Sequence, residues 1–364
     1  MANTDIFKIL SCDGGGIRGL ITTVILERLE QKLGDRLNKY FDMFAGTSTG
    51  SIIACCIAKG MPASEIRRFY EDKGKDIFPD MNLDFWWNGL LERIKQGDPS
   101  LPLFSSTGLE KVLQDSHVFG ESTFGTLPPT LVVAYDTYNR TAVVFKSNQP
   151  EFSQIPTWEV CRCSSAAPTA FAGHILSDPT YLANLEKHPN HSTIQNPVTI
   201  KLPPETRGVP LIDGGVVANN PTLCAIAECI NMSKRGTLPK SVNLENISLD
   251  DILIASFGTG QLEDRITPEQ AKTWGALDWL NVQNGIPLLS VFSDGSSDLV
   301  DYIAAQLLNE RYDRYQPLVP ATKNISTFQA DPNNLANLID VANEFLDQAG
   351  GDLQLEKLAA AISS

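Results

Sequence analysis

The chain has 364 residues, of which 42% are hydrophobic and 20% charged, and its formal net charge is −14 at pH 7. This length is enough to bury a large core in one or two domains, and the composition is typical of a globular protein. The negative charge disfavours binding to a nucleic-acid polymer and long-range attraction to anionic membranes. Any contact with membrane lipid is therefore expected to be transient, local and apolar.

The sequence lacks the usual signals for export or membrane insertion. No stretch approaches the ~20 apolar residues of a transmembrane segment, and residues 1–5 lead into the first predicted strand without the basic and apolar regions of a signal peptide. Seven cysteines, an odd number, sit mostly in apolar runs, where free thiols behave as small hydrophobic residues. A cytoplasmic location with peripheral membrane contact is predicted.

The first predicted strand, residues 6–12, runs into a glycine turn, residues 13–19, that opens a helix. Successive glycines leave backbone N–H groups uncovered, and a helix N-terminus favours negative charge. Both properties suit the oxyanion that forms when a serine attacks an ester. Arg18 lies in the same turn, and the alternative to a role for it in the oxyanion hole is a surface position at the start of a helix. The predicted oxyanion-hole residues are Gly14, Gly15, Gly16 and Arg18.

The same turn also satisfies the Gly-x-Gly-x-x-Gly pattern of dinucleotide-binding sites. Such a site requires an acidic residue at the end of the next strand. That strand runs into residues 46–48 instead, and Glu30 and Asp35, which lie at the right distance, fall within or just after a helical stretch. A phosphate-binding loop would need a following Gly-Lys-Ser or Gly-Lys-Thr, which is absent. A nucleotide site is therefore disfavoured, and no cofactor or metal ion is expected.

The second predicted strand, residues 40–45, ends in Gly46-Thr47-Ser48-Thr49-Gly50, and an apolar helical run follows. Gly-x-Ser-x-Gly between a strand and a helix is typical of a nucleophile elbow, in which a strained turn exposes the serine Oγ at the top of a sheet. The positive end of the following helix points at this serine. Ser48 is the predicted nucleophile, with Gly46 and Gly50 closing the turn. An ordinary tight turn built from small residues is the alternative.

The middle of the sequence predicts two further strands of the sheet and a segment that covers either the sheet or the active site. Two strand-like runs, residues 130–136 and 141–146, predict a hairpin and hence a mixed sheet. Before them lies an irregular, aromatic stretch that includes Trp86 and Trp87. We interpret this stretch either as a loop packed over the sheet or, at residues 83–91, as a lipid-facing rim of an active site.

A third glycine turn follows a short apolar strand that ends at Asp213. A carboxylate at the end of a strand is suitably placed for a catalytic base in an α/β protein, whereas Asp-Gly is also an ordinary turn. Gly214 and Gly215 complete this motif. A core strand is predicted over residues 251–257.

The rest of the chain is predicted to be mostly helical over residues 270–315 and again from residue 330. No internal repeat or linker interrupts the sequence. We therefore predict one catalytic domain over residues 1–316, with residues 317–364 as a helical extension packed on the same domain.

The three glycine motifs, in this order, closely resemble those of the patatin-like phospholipase family. The resemblance covers most of residues 6–316 and implies a three-layer α/β/α fold with a mixed, mostly parallel central sheet and added helices. It also implies that Ser48 and Asp213 form a catalytic dyad that cleaves fatty-acyl esters of phospholipids or galactolipids through an acyl-enzyme. The matching segments are residues 13–19, 46–50 and 213–215.

A serine–histidine–aspartate triad finds no support in the sequence, because none of the four histidines adjoins a glycine motif. Two other functions remain open. One is an acyltransferase that uses the same elbow serine, and the other is a storage or scaffold protein with a dormant site, as plant patatins are tuber stores. The histidines are His117, His174, His188 and His191.

Overall fold

The computed structural model describes residues 6–79, 102–187, 207–242, 244, 246–263, 265–279, 286–348 and 350–363. The aromatic stretch at residues 83–91 lies outside the described residues. The strands are β1 (Phe7–Cys12), β2 (Met43–Thr47), β3 (Thr130–Asp136), β4 (Thr141–Lys146), β5 (His174–Leu176), β6 (Val209–Asp213), β7 (Ile252–Phe257), β8 (Gln261–Leu262), β9 (Tyr312–Tyr315) and β10 (Leu318–Val319). The helices are α1 (Gly19–Leu33), α2 (Thr49–Lys59), α3 (Ala63–Ile77), α4 (Ser106–Leu113), α5 (Pro150–Ser153), α6 (Thr157–Ser164), α7 (Pro179–Lys187), α8 (Gly215–Ala218), α9 (Thr222–Arg235), α10 (Pro268–Thr273), α11 (Ala276–Trp279), α12 (Pro287–Leu308), α13 (Pro332–Gln348) and α14 (Gly351–Ser363).

The main sheet is mixed and mostly parallel, as the sequence predicts. Its strands lie in the order β5-β6-β3-β2-β1-β7-β9, and β4 pairs with β3. The central strands pair in parallel, whereas β3–β4, β3–β6 and β5–β6 are antiparallel. The predicted hairpin is formed by β3 and β4, and β8 pairs with β10 in a separate two-stranded sheet.

Helices cover both faces of the main sheet because the side chains of its central strands alternate between two cores. From β1, Leu10 and Cys12 are buried on the face that packs against α1, α2 and the C-terminal helices. Phe7 and Ile9 are buried on the other face, against α9. The predicted three-layer α/β/α arrangement is confirmed.

The sequence does not predict β5 or the edge strand β9. The prediction of mostly helical structure over residues 270–315 is wrong for residues 312–315, which pair in parallel with β7. This strand is only four residues long and contains Asp313 and Arg314. Its local pattern therefore carries no alternation of apolar and polar residues, and its pairing is set by the rest of the sheet.

Two strands share one edge of β3, because β4 occupies the other edge over residues 131–136. β2 runs parallel to the first half of β3, where Thr47 lies opposite Val133. β6 runs antiparallel to the second half, where Asp213 lies opposite Ala134. β2 and β6 therefore run toward each other, and their carboxyl ends meet beside the middle of β3. This arrangement places the turn after β2 next to Asp213.

The C-terminal helices α13 and α14 pack on α1. The Lys8 Nζ donates a hydrogen bond to the carbonyl of Ile362 at 2.8 Å, and Asp352 pairs with Arg28 and Lys32 at 2.9 and 2.8 Å. A division of the chain after residue 316 stays a prediction. In the described part of the chain, no helix combines the length and apolar character needed to cross a bilayer.

Candidate active site

Ser48 occupies the turn between β2 and α2 in a backbone conformation that L-residues rarely adopt, with φ 53° and ψ −126°. Such a conformation persists only where neighbouring contacts enforce it. The Ser48 N–H donates to Ser164 Oγ at 2.8 Å, and Ser164 Oγ donates to the Val133 carbonyl at 2.6 Å. The Ser51 N–H donates to the Ser48 carbonyl at 2.9 Å. These bonds fix the turn to the sheet and to α2.

Three glycines of the second and third motifs, Gly46, Gly50 and Gly214, lie where a side chain would collide with backbone. A Cβ on Gly46 would lie 2.3 Å from the Gly50 carbonyl oxygen, and one on Gly50 would lie 2.2 Å from the Cys12 carbonyl oxygen. A Cβ on Gly214 would lie 2.2 Å from the carbonyl oxygen of Val133. These three glycines are thus explained by close backbone approach around Ser48 and Asp213.

The structure brings Ser48 and Asp213 into direct contact. Ser48 Oγ donates to Asp213 Oδ2 at 2.6 Å, and the Gly215 N–H donates to Asp213 Oδ1 at 2.7 Å. Burial raises the pKa of Asp213 to about 6, and the hydrogen bonds from Ser48 and Gly215 oppose this rise. The carboxylate is therefore oriented by backbone and is a stronger base than an exposed aspartate.

The first glycine turn lies beside Ser48, since a Cβ on Gly14 would be 3.1 Å from Ser48 Cβ. The Gly14 N–H donates to the Asn219 carbonyl at 3.1 Å, so this amide is already engaged. Within the described ranges, the N–H groups of Gly15 and Gly16 have no acceptor. Two of the three predicted glycine donors are thus available to a ligand.

Arg18 is buried, so its interpretation as a surface residue is wrong. Its Nη1 donates to the Gly260 carbonyl at 3.1 Å, and its Nε finds no hydrogen-bond acceptor in the part of the chain that the structure describes. Burial lowers the pKa of this guanidinium. The side chain lies at the wall of the pocket beside Ser48.

A pocket opens onto Ser48, Asp213 and the three glycines of the first turn. Its remaining wall is mostly apolar and comes from elements far apart in the chain. A wall of this kind suits a hydrocarbon chain better than a polar ligand. The apolar lining residues include Ile52, Ile77, Phe78, Leu109, Phe171, Leu289 and Phe328.

Sequence reasoning does not identify several polar residues that hold the site. Arg314 Nη2 donates to Asp13 Oδ2 at 2.6 Å, and Arg314 Nη1 donates to Ser256 Oγ at 3.0 Å. Burial raises the pKa of Asp13. Asp13 and Ser256 each precede a glycine turn, which is a usable signal, but Arg314 lies on the unpredicted strand β9. Its role follows only from the paired sheet.

Neither described histidine lies at the pocket. His174 Nε2 lies 2.9 Å from Glu159 Oε1 on the far side of β6, and His117 is exposed. His188 and His191 lie outside the described residues. Among the described residues, no group of three or more histidine, cysteine, aspartate or glutamate side chains is arranged to hold a metal ion.

Comparisons with a family model and with individual known proteins agree with each other. The model of the patatin-like phospholipase family matches residues 10–226. The chain is 31% identical over 321 residues to "Patatin-like protein 2" of Arabidopsis thaliana. This alignment covers 82% of this chain and 71% of that protein. It is 29% identical over 363 residues to "Patatin-like protein 1" of the same plant, covering 93% and 81%. Among solved structures, human GIVD cytosolic phospholipase A2 aligns with a TM-score of 0.44 at 10% identity, over 100% of this chain and 64% of that one.

Proposed function

Because the chain belongs to the patatin-like phospholipase family, we propose that it cleaves fatty-acyl esters of phospholipids or galactolipids through a Ser48–Asp213 dyad. The proposed activity is of the phospholipase A or lysophospholipase type. The observation that carries this proposal is the 2.6 Å hydrogen bond from Ser48 Oγ to Asp213 Oδ2 in the wall of an apolar pocket.

The first half-reaction forms an acyl-enzyme. Ser48 Oγ attacks the ester carbonyl carbon as its proton passes to Asp213 Oδ2, and the carbonyl electron pair moves onto oxygen. The N–H groups of Gly15 and Gly16 stabilise that oxyanion. When the tetrahedral intermediate collapses, the carbon–oxygen bond to the leaving alcohol breaks, and Asp213 returns the proton to that alcohol.

The second half-reaction uses water in place of the serine. Asp213 takes a proton from the water as its oxygen attacks the acyl carbon, and the same proton returns to Ser48 Oγ as the fatty acid leaves. A solvated aspartate is a weak base for either step. Burial of Asp213, which raises its pKa to about 6, moves it toward the range in which a general base is most effective.

Contact with membrane lipid is proposed at the outer face of α12. Leu289 and Ser293 of this helix line the pocket, and three apolar side chains beside them, Leu288, Val291 and Phe292, are exposed to solvent. The helix carries aspartates and no lysine or arginine. Its apolar face therefore suits transient, peripheral contact with neutral or zwitterionic lipid, and a cytoplasmic location remains part of the proposal.

Loss of either member of the dyad is expected to remove nearly all activity. Ser48→Ala and Asp213→Asn should each lower kcat by roughly 10⁴-fold or more, and the double variant should be little worse, because the two residues act as one unit. The measurement is mass spectrometry of fatty acid released from mixed phospholipid and galactolipid vesicles. Ser147→Ala and Asp136→Asn, which alter buried polar residues outside the pocket, are matched controls and should keep near-normal kcat.

The same preparation separates the other two functions. A dormant site predicts that Ser48 does not react with a fluorophosphonate probe. An acyltransferase predicts turnover of acyl-CoA with an alcohol acceptor and little release of free fatty acid. Full activity in Asp213→Asn would contradict the dyad.

A further inference from the structure

The peptide that joins Gly14 to Gly15 is held on its carbonyl side by two buried residues. Thr259 Oγ1 donates to the Gly14 carbonyl oxygen at 2.9 Å, and Asn219 Nδ2 approaches the same oxygen at 3.4 Å. Asn219 also accepts, through its own carbonyl, the hydrogen bond from the Gly14 N–H. The shorter bond makes Thr259 the principal anchor of this peptide.

The orientation of the carbonyl fixes the orientation of the Gly15 N–H. In a trans peptide the C=O and N–H bonds point in opposite directions. The Gly15 N–H therefore points away from Thr259, and no described residue accepts a hydrogen bond from it. Donation to the carbonyl also polarises the peptide, which makes its N–H a stronger donor.

Thr259 is itself held in place tightly. It is 3% exposed, and a Cβ on Gly15 would lie 2.1 Å from Thr259 Oγ1. The glycine at position 15 is therefore needed to let the threonine hydroxyl reach the loop. The Gly258–Gly260 turn, which places Thr259, follows β7 and lies beside the end of β1 because these strands are paired.

We propose that Thr259 is a positioning residue for ester hydrolysis: its hydroxyl orients the Gly14–Gly15 peptide so that the Gly15 N–H meets the oxyanion. This inference rests on the proposed ester hydrolysis at Ser48. It adds a residue that touches neither the substrate nor the dyad, and that acts through the backbone of the first glycine turn.

The test compares Thr259→Val, which removes the hydroxyl at nearly constant volume, with Thr259→Ser, which keeps it. For a soluble fatty-acyl ester, Thr259→Val should lower kcat by about 10- to 100-fold, below the ~10²–10³ that follows complete loss of an oxyanion donor. KM should stay within about twofold, and Thr259→Ser should restore kcat to within about threefold of the wild-type value. Thr130→Val is the matched control, because the Thr130 hydroxyl is equally buried and donates to the Pro128 carbonyl at 2.8 Å away from the pocket.

A second measurement distinguishes the loss of oxyanion-hole orientation from a general disturbance of the active site. The rate of inactivation by a fluorophosphonate should fall by the same factor as kcat, since its phosphonyl oxygen takes the place of the oxyanion. The affinity for an ether analogue that lacks the carbonyl should not change. If Thr259→Val does not fold, Thr259→Ala and Thr259→Ser provide the same comparison.

The outcomes are distinct. A folded Thr259→Val with kcat within twofold of wild type, or a loss confined to KM, overturns the role of Thr259 and leaves the dyad intact. If the wild-type protein releases no fatty acid and does not react with the fluorophosphonate, the proposed function fails instead.

Discussion

At the scale of single residues, the backbone of Ser48 is as unusual as its side chain. Its positive φ is a conformation in which a Cβ is disfavoured and glycine is not. The surrounding hydrogen bonds from Ser51 and to Ser164 hold the residue there. The strained backbone conformation therefore falls at the residue proposed as the nucleophile.

This strain predicts an inverted order of stability at Ser48. Ser48→Gly should be more stable than Ser48→Ala by about 1 kcal/mol, because glycine relieves a strain of roughly 1–3 kcal/mol but gains entropy in the unfolded chain. Both variants lack the hydroxyl, so the difference in stability between them reflects the backbone conformation and not the loss of the hydroxyl. Urea denaturation measures it. At Ser51, inside α2, the order should be the ordinary one, with glycine less stable by about 0.5–1 kcal/mol.

The buried Asp213 predicts the pH dependence of the reaction. Its pKa is raised to about 6, and only the ionised form accepts the serine proton. The kcat/KM for a soluble ester should therefore be constant above about pH 7 and fall as the pH drops through about 6, approaching tenfold per unit. A pH–rate profile with its acid limb near pH 4 would show instead that Asp213 behaves as a solvated carboxylate.

At the scale of elements, α12 joins the pocket to the solvent. One side of its first turns lines the pocket, and the adjoining side presents Leu288, Val291 and Phe292. A lipid that enters the pocket from a bilayer would pass along this helix. Under the proposed function, these exposed apolar side chains would contact the bilayer surface.

A charge at the centre of this face should affect lipid substrates selectively. Phe292, which is 60% exposed, can change without loss of core packing. Phe292→Asp is expected to lower hydrolysis of zwitterionic vesicles by about tenfold or more, the equivalent of 1.5–3 kcal/mol for removing a large apolar side chain from a bilayer. Hydrolysis of a short soluble ester should not change. Leu353→Asp, at 58% exposure on α14, is the matched control, and equal loss on both substrates would contradict the role of α12.

Local patterns in the sequence are sufficient to predict those parts of the site that are formed by a single turn. The glycine turns, the elbow at Ser48 and the strand that ends at Asp213 each follow from a few adjacent residues. Arg314 and Thr259 could not be assigned in this way, because each acts on a segment more than 200 residues away in the chain. Phe328 likewise joins the pocket from beyond the predicted catalytic domain.

At the scale of the whole molecule, the C-terminal segment is structurally continuous with the site. The Ile17 N–H donates to the Thr327 carbonyl at 3.0 Å, and a Cβ on Gly16 would lie 2.5 Å from that carbonyl oxygen. Phe328 forms part of the pocket wall. Residues 317–364 are therefore expected to stabilise the glycine turn as well as to cover α1.

This coupling predicts a large stability loss from one substitution in α13. Leu338 is fully buried in the core shared with α1, so Leu338→Ala should lower the free energy of unfolding by about 2–5 kcal/mol. Chemical denaturation followed by circular dichroism measures this value. Leu353→Ala, at an exposed site on α14, should cost well under 1 kcal/mol. Equal, small effects of the two substitutions would show that α13 is a loosely attached appendage.

The meeting of β2 and β6 on one edge of β3 also sets when activity can arise during synthesis. Ser48 and Asp213 are 165 residues apart in the chain, and both strands must pair with β3 before their side chains touch. Pairings between such distant segments form slowly, after local helices and turns. Under the proposed function, a nascent chain that has completed its elbow therefore still lacks the base of the Ser48–Asp213 dyad until β6 has been made. The proposed dyad can therefore assemble only after more than half of the chain has been synthesised, and β7, β9 and the C-terminal helices, which complete the core, are made later still.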